Sequence, residues 1–255
     1  IGAVEYDAAA CTTYRHNHGG HVVHADITSF GPSKMERYLK ASGAIRRRGE
    51  VDLVVGGPPC PGFSLIGRSK ISNLIKTGAW EGTDHRHAFI DDPRNQLFLE
   101  FVAYVRHFRP TYLVMENVQG MASYQKSGKA SIIDVIRLEF EALGYTIDVD
   151  VLDAADYGVP QHRKRVIFLG TRRKKQNLAK LPIPEGNTKI NARDAICDLP
   201  PVKATDGNTK VGAKLRAKEH PYLDLMRTAI KDVERRRQAL KLHATRAVNP
   251  RDMAM

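Results

Sequence analysis

Val51-Asp52-Leu53-Val54-Val55-Gly56-Gly57-Pro58-Pro59-Cys60-Pro61-Gly62-Phe63-Ser64 is the stretch on which the fold turns. Its first five residues read as a short buried strand, and Gly56-Gly57 ends it. Each of the next two prolines fixes its own φ and restricts its predecessor, so Cys60 is held in a stiff turn at a strand's carboxyl end. Outward from there, Tyr112-Leu113-Val114-Met115 is a second strand and Val166-Ile167-Phe168-Leu169 a third. Between the first two, Leu97, Phe98, Phe101, Val102, Val105 and Phe108 recur at helical spacing, and Pro110 stops that helix. Ile132, Ile133, Ile136, Phe140 and Leu143 form another apolar face, closed by Gly144. Upstream, Ile1-Gly2-Ala3-Val4 reads as a strand already under way, with Glu5 at its end. Strands alternating with covering helices predict an α/β fold, doubly wound on a mostly parallel sheet, and ligands in such sheets sit at strand carboxyl ends. Gly56 and Glu116 fall at such ends.

A chain of 255 residues can bury one large domain and part of a second. Its 42% apolar content is that of a globular protein and argues against wholesale disorder. No run of 18 apolar residues and no signal segment is present, so a cytoplasmic location is expected, nucleoid-associated if the source is bacterial, with no membrane partner. Cys11, Cys60 and Cys197 are too few and too scattered for a disulfide framework. The net charge of +12 is unevenly spread: residues 1–160 carry −2 and residues 161–255 carry +14. A near-neutral core with a basic last third suggests contact with phosphates; a solubilising surface is the plainer alternative.

After Gly170 the texture changes. Arg172-Arg173-Lys174-Lys175 opens a polar, Pro-punctuated stretch, and a helix is expected from Tyr222 to about Leu242, carrying Arg235-Arg236-Arg237. The expected organisation is a catalytic domain at 1–175, a linker at 176–220 and the start of a basic region at 221–255.

Three motifs carry a resemblance. Pro58-Pro59-Cys60 with Phe63-Ser64, then Glu116-Asn117-Val118 at the end of the next strand, then Gln161-x-Arg163-x-Arg165 before the third, resemble in type and order the motifs of the DNA cytosine-5 methyltransferases. Each tripeptide alone is a weak signal; three in order, each at a strand edge, are a strong one, and the resemblance covers residues 1 to about 200. It implies the Rossmann-like fold of S-adenosylmethionine-dependent methyltransferases with the start of a smaller target-recognition domain. It also implies that Cys60 is the nucleophile. Carbon 5 of cytosine is a poor nucleophile toward a methyl donor, but a thiolate adding to carbon 6 turns the ring into a reactive enamine. That addition calls for an acid or hydrogen-bond partner at N3, the role the resemblance gives to Glu116. Arg163 and Arg165 would orient the base and the glutamate and offset charge. The plainer readings are a Pro-Gly loop with an incidental cysteine, a glutamate that caps a helix, and a solvated basic turn.

The implied methyl donor is S-adenosylmethionine. By resemblance, Glu5 accepts hydrogen bonds from the ribose hydroxyls, Tyr6 lies against the adenine, Asp26-Ile27 meets the adenine side, and Pro58 and Leu97 border the cofactor. Ser64, Asn117, Val118 and Gln161 would face the substrate, duplex DNA. Residues 62–92 resemble the loop that closes over DNA once the target cytosine has been extruded; a surface insertion is the alternative. Arg193-Asp194-Ala195-Ile196 and His243-Ala244-Thr245-Arg246 resemble the approach to the target-recognition region and its opening. His16, His18, His21 and His24 are too loosely spaced for a metal site, and none is expected.

The Gly-rich cofactor turn that the family carries before such a first strand, most of the recognition region and the closing cofactor-side motifs are missing from these 255 residues. Weak cofactor binding and weak or absent activity of the chain as written are therefore expected. Two rivals remain: a tRNA cytosine-5 methyltransferase, which shares Pro-Pro-Cys and Glu-Asn-Val, and a non-catalytic nucleic-acid-binding remnant. The DNA target, a restriction partner from a restriction-modification system and the oligomeric state are not legible in the sequence.

Overall fold

The computed structural model describes residues 2–59, 97–121, 132–172, 178–184, 186, 189–197 and 221–223. In chain order it contains β1 (Gly2–Glu5), α1 (Ala8–His18), β2 (His21–His24), α2 (Pro32–Ala41), β3 (Leu53–Gly56), α3 (Leu97–Phe108), β4 (Tyr112–Val118), α4 (Ile132–Ala142), β5 (Thr146–Asp153), β6 (Lys164–Thr171) and α5 (Ala192–Ile196). The chain forms two compact units, one of residues 1–152 and 164–183, the other of residues 153–163 and 184–255.

In the first unit β1 pairs with β2 in parallel, and four further strands are ordered β3-β4-β6-β5. β3 and β4 are parallel, with Gly56 opposite Met115, whereas β6 runs antiparallel to β4, with Phe168 opposite Met115. The α/β class and the mostly parallel arrangement follow the sequence expectation, with β6 as the departure. Only residues 154–163 connect β5 to its neighbour β6. That is shorter than the helical crossover parallel neighbours require.

The period-2 pattern of β4 sends Leu113 and Met115 into the core, where they meet Val166 and Phe168 of β6 and Ile136 and Phe140 of α4. Phe101 of α3 meets Phe140 edge to face at 6.0 Å. Tyr104 and Phe108, on the same helix, belong to a second cluster with Met35 and Leu39 of α2, against which Val4, Val23 and Ile27 pack. Glu36 of α2 joins this helix pair to α3 through His107 at 2.5 Å and also holds Lys40 at 2.8 Å. Those bonds, that of Lys40 first, keep its carboxyl below the usual range.

α3 ends at Phe108, with Arg109 in the left-handed region (φ 48°) ahead of Pro110, and α4 is followed by Gly144 at φ 86°. β3 departs from the reading of Val51–Val55 as a buried strand. Val54 packs against both clusters, but Leu53 and Val55 are 49% and 65% exposed, because no described residue covers their face. At Gly56 the backbone lies so close to α3 that an added Cβ would stand 2.6 Å from the Phe101 ring. Gly56→Ala is therefore expected to destabilise the fold by about 1–3 kcal/mol, the usual cost of overpacking a core. Urea titration reads this as a lower midpoint, and an unchanged midpoint would mean that α3 yields without penalty.

Candidate active site

β3 delivers Gly57-Pro58-Pro59 to the carboxyl edge of the sheet, and β4 delivers Glu116-Asn117-Val118 beside it. Asn117 is 3% exposed, and its side-chain amide donates to the Pro58 carbonyl at 3.1 Å. Its own oxygen accepts the Val118 N–H at 2.8 Å. A buried amide must satisfy its hydrogen bonds inside the protein, so this one ties the Pro-Pro turn to the end of β4. Asn117 was expected to face substrate; its side chain is committed to the turn that leads into Cys60. Cys60 and Ser64, with the rest of 60–96, lie outside the described residues.

Glu116 stands on the other face of β4. Its Oε1 pairs with Arg165 Nε at 2.7 Å, and Arg165 Nη1 also donates to the Lys164 carbonyl at 2.8 Å. The register explains the contact. Arg165 lies opposite Val118, so Glu116, two residues earlier, is its diagonal neighbour on one sheet face. The pair is half open, with 41% of the Glu116 side chain and 24% of Arg165 exposed. Oε2 turns toward Gly57, where an added Cβ would lie 3.3 Å away. A glycine at 57 thus leaves the carboxylate room at the root of the Cys60 turn.

Gln161 and Arg163 belong to the second unit, on the turn after β5. Both are exposed, and among the described residues neither side chain has a protein partner.

A second group of candidates sits at the carboxyl ends of β1 and β2. Glu5 accepts the Asp7 N–H at 2.9 Å through Oε1, and Asp7 caps α1 by accepting from Ala10 at 2.8 Å. Tyr6 is 74% exposed, a bare ring beside that carboxylate. His24, opposite Glu5 in the register, reaches the Tyr6 carbonyl with Nε2 at 2.9 Å. Asp26 Oδ1 accepts from the Thr28 hydroxyl at 2.7 Å and its N–H at 2.9 Å, and these bonds, the hydroxyl first, hold its carboxyl below the usual range. Ile27 is half-buried in the second apolar cluster, and Tyr104 of α3 donates to the Phe30 carbonyl at 2.5 Å. Leu97, also half-buried, begins α3. Sequence reading missed His24 and Tyr104 as supports of this edge. Only the strand register and the helix packing reveal them.

His16 and His18 end α1 while His21 and His24 lie on β2, and among the described residues no three His, Cys, Asp or Glu side chains converge as metal ligands. No helix among those residues is long and apolar enough to cross a membrane.

The family model for C-5 cytosine-specific DNA methylases matches residues 1–249. The chain belongs to that family. Among curated relatives, the Type II methyltransferase M.DdeI of Desulfomicrobium norvegicum is 35% identical over 212 residues, covering 81% of this chain and 44% of the relative. The Type II methyltransferase M1.HphI of Haemophilus parahaemolyticus is 36% identical over 207 residues, covering 81% and 48%. The chain thus spans about half the length of these relatives. A crystal structure assigned as a DNA modification methyltransferase encoded within a prophage (E. coli) superposes with a TM-score of 0.60 at 23% identity. It covers 88% of this chain and 56% of its own, and shows that the fold is shared.

Proposed function

We propose that this chain carries the catalytic core of an enzyme that transfers a methyl group from S-adenosylmethionine to carbon 5 of a flipped-out cytosine in duplex DNA. The observation that carries the reading is the junction at the ends of β3 and β4. There the turn into Cys60 is bonded to Asn117 while Glu116, paired with Arg165, faces the same turn. Family membership and two Type II relatives support a site-specific DNA modification enzyme of a restriction-modification system.

In this reading the Cys60 thiolate adds to carbon 6. Glu116 delivers a proton to N3, so the displaced electron pair makes carbon 5 the nucleophile. S-adenosylmethionine supplies an electrophilic methyl on a sulfonium. Once carbon 5 is methylated, loss of its proton to a base expels the Cys60 thiolate, and N3 returns its proton to Glu116 as the neutral aromatic ring is restored. Arg165 holds one carboxylate oxygen of Glu116 and leaves the other for the base; Arg163, by its motif position, steadies the base itself. The residues at the ends of β1 and β2 suit the adenosine end of the donor: Glu5 for the ribose hydroxyls, the open Tyr6 ring for the adenine face, and Asp26 and Ile27 for its rim. Pro58 and Leu97 complete the cofactor set; Ser64, Val118 and Gln161 complete the substrate set.

The test is transfer of labelled methyl to mixed-sequence duplex DNA and to tRNA in parallel, with duplex affinity measured against salt. Label is expected on carbon 5 of DNA cytosines, and log affinity should fall with log salt by about 0.9 per neutralised phosphate. Label on tRNA alone would transfer the assignment to the RNA branch. A salt slope near zero would remove the role given to the basic last third.

A further inference from the structure

The turn that carries Gln161 and Arg163 is clamped by one carboxylate that no motif includes. Asp153, the last residue of β5, has a side chain only 11% exposed. Its Oδ1 accepts two backbone N–H groups, from Ala155 at 3.2 Å and from Arg163 at 3.0 Å, while Oδ2 pairs with His162 Nδ1 at 3.1 Å. The Ala154 N–H closes the same neck by donating to the Arg163 carbonyl at 3.1 Å. Both backbone groups of Arg163 are therefore bonded across the turn. Within it, the short helical turn Ala154–Tyr157 is followed by Gly158 at φ 80°, and Gln161 N–H donates to the Val159 carbonyl at 2.7 Å.

Meanwhile the Arg163 guanidinium has no protein partner among the described residues. A backbone held at both ends with a free cationic head is the arrangement of a side chain kept ready for a ligand. An ionised acceptor of two N–H groups makes strong bonds, and Asp153 is held below the usual carboxylate range, first by His162 and then by those two amides.

We propose that Asp153 is a positioning residue for Arg163: it fixes the backbone from which Arg163 reaches the target base, with His162 holding the second carboxylate oxygen in place. This rests on the functional reading above for the role of Arg163, but the clamp itself does not.

The experiment compares Asp153→Ala with Asp153→Asn in the full 255-residue chain. Asparagine keeps an oxygen able to accept both amides and gives up the charge; alanine removes both. Amide hydrogen exchange at Arg163 and Ala155 is measured first and needs no activity. Asp153→Ala should exchange there on the order of tenfold or more faster, with Asp153→Asn close to wild type. Steady-state turnover follows. Asp153→Ala is expected to lose on the order of tenfold to a hundredfold in kcat on duplex DNA, the scale of a small misplacement at a reacting centre. Its affinity for S-adenosylmethionine should not change, and Asp153→Asn should recover most of the loss. Unchanged exchange at Arg163 in Asp153→Ala overturns the clamp. Faster exchange with unchanged kcat overturns its positioning role. A wild-type chain that binds S-adenosylmethionine yet shows no turnover on any nucleic acid overturns the functional reading instead, and the exchange data still decide the clamp.

Discussion

In a version of full family length, alanine in place of Cys60 is expected to abolish methyl transfer to duplex DNA while duplex binding persists. The expectation follows from where electrons must go. Carbon 5 of cytosine cannot take a methyl group from a sulfonium at a useful rate until carbon 6 bears a nucleophile, and none of the residues next to Cys60 in sequence offers one. Pro58, Pro59, Pro61 and Gly62 flank the cysteine and carry none. Loss of an enzyme's covalent nucleophile is felt on the scale of about a millionfold in a serine hydrolase, far beyond the effect of misplacing a neighbour. Binding should persist because the thiol neutralises no phosphate, the +14 excess lying in residues 161–255. The comparison is a labelled-methyl assay beside a gel-shift titration on the same duplex. Retention of even a few per cent of turnover would sink the covalent route.

The same turn shows what could be read from the chain and what could not. α3 was legible because six apolar residues from Leu97 to Phe108 keep helical spacing up to a proline, and the helix has those bounds. β4 was legible at its start from its apolar residues, whereas its last three, Glu116-Asn117-Val118, were placed at the strand end by motif and not by pattern. Polar residues at a strand end look like a loop, and here two of them line the candidate site. β5 alternates Ile147, Val149 and Val151 with Asp148 and Asp150, a half-buried strand pattern hidden by its charge. β2 is four residues long with a histidine at each end, so nothing in His21-Val22-Val23-His24 separates it from the polar end of α1. The candidate site divides in the same way. Motif order pointed to Glu116 and Arg165, which meet at 2.7 Å. Asp153 was invisible because its partners lie two to ten positions away across a turn, where no periodicity operates.

Glutamine at 116 is expected to slow methyl transfer by about two to four orders of magnitude, the range of a positioned acid. The substitution keeps the shape of the side chain and an oxygen for Arg165, but it cannot hand a proton to N3. Addition at carbon 6 then leaves negative charge on the ring beside an amide. The fold should tolerate the change. The ion pair with Arg165 is half open, and pairs that solvent reaches contribute about 0–1 kcal/mol, so the melting temperature shifts little. Cofactor affinity should hold as well, since Glu5, Tyr6 and Asp26 lie at the ends of β1 and β2 rather than on β4. The prediction is therefore a loss in kcat with the dissociation constant for S-adenosylmethionine and the melting temperature held near wild type. Arg165→Ala supplies the internal control. It leaves the carboxyl in place and frees its plane, so its loss should be smaller than that of Glu116→Gln. The order matters more than either size. If removing the arginine costs more than removing the acid, Glu116 only anchors Arg165, and proton delivery to N3 must be assigned elsewhere.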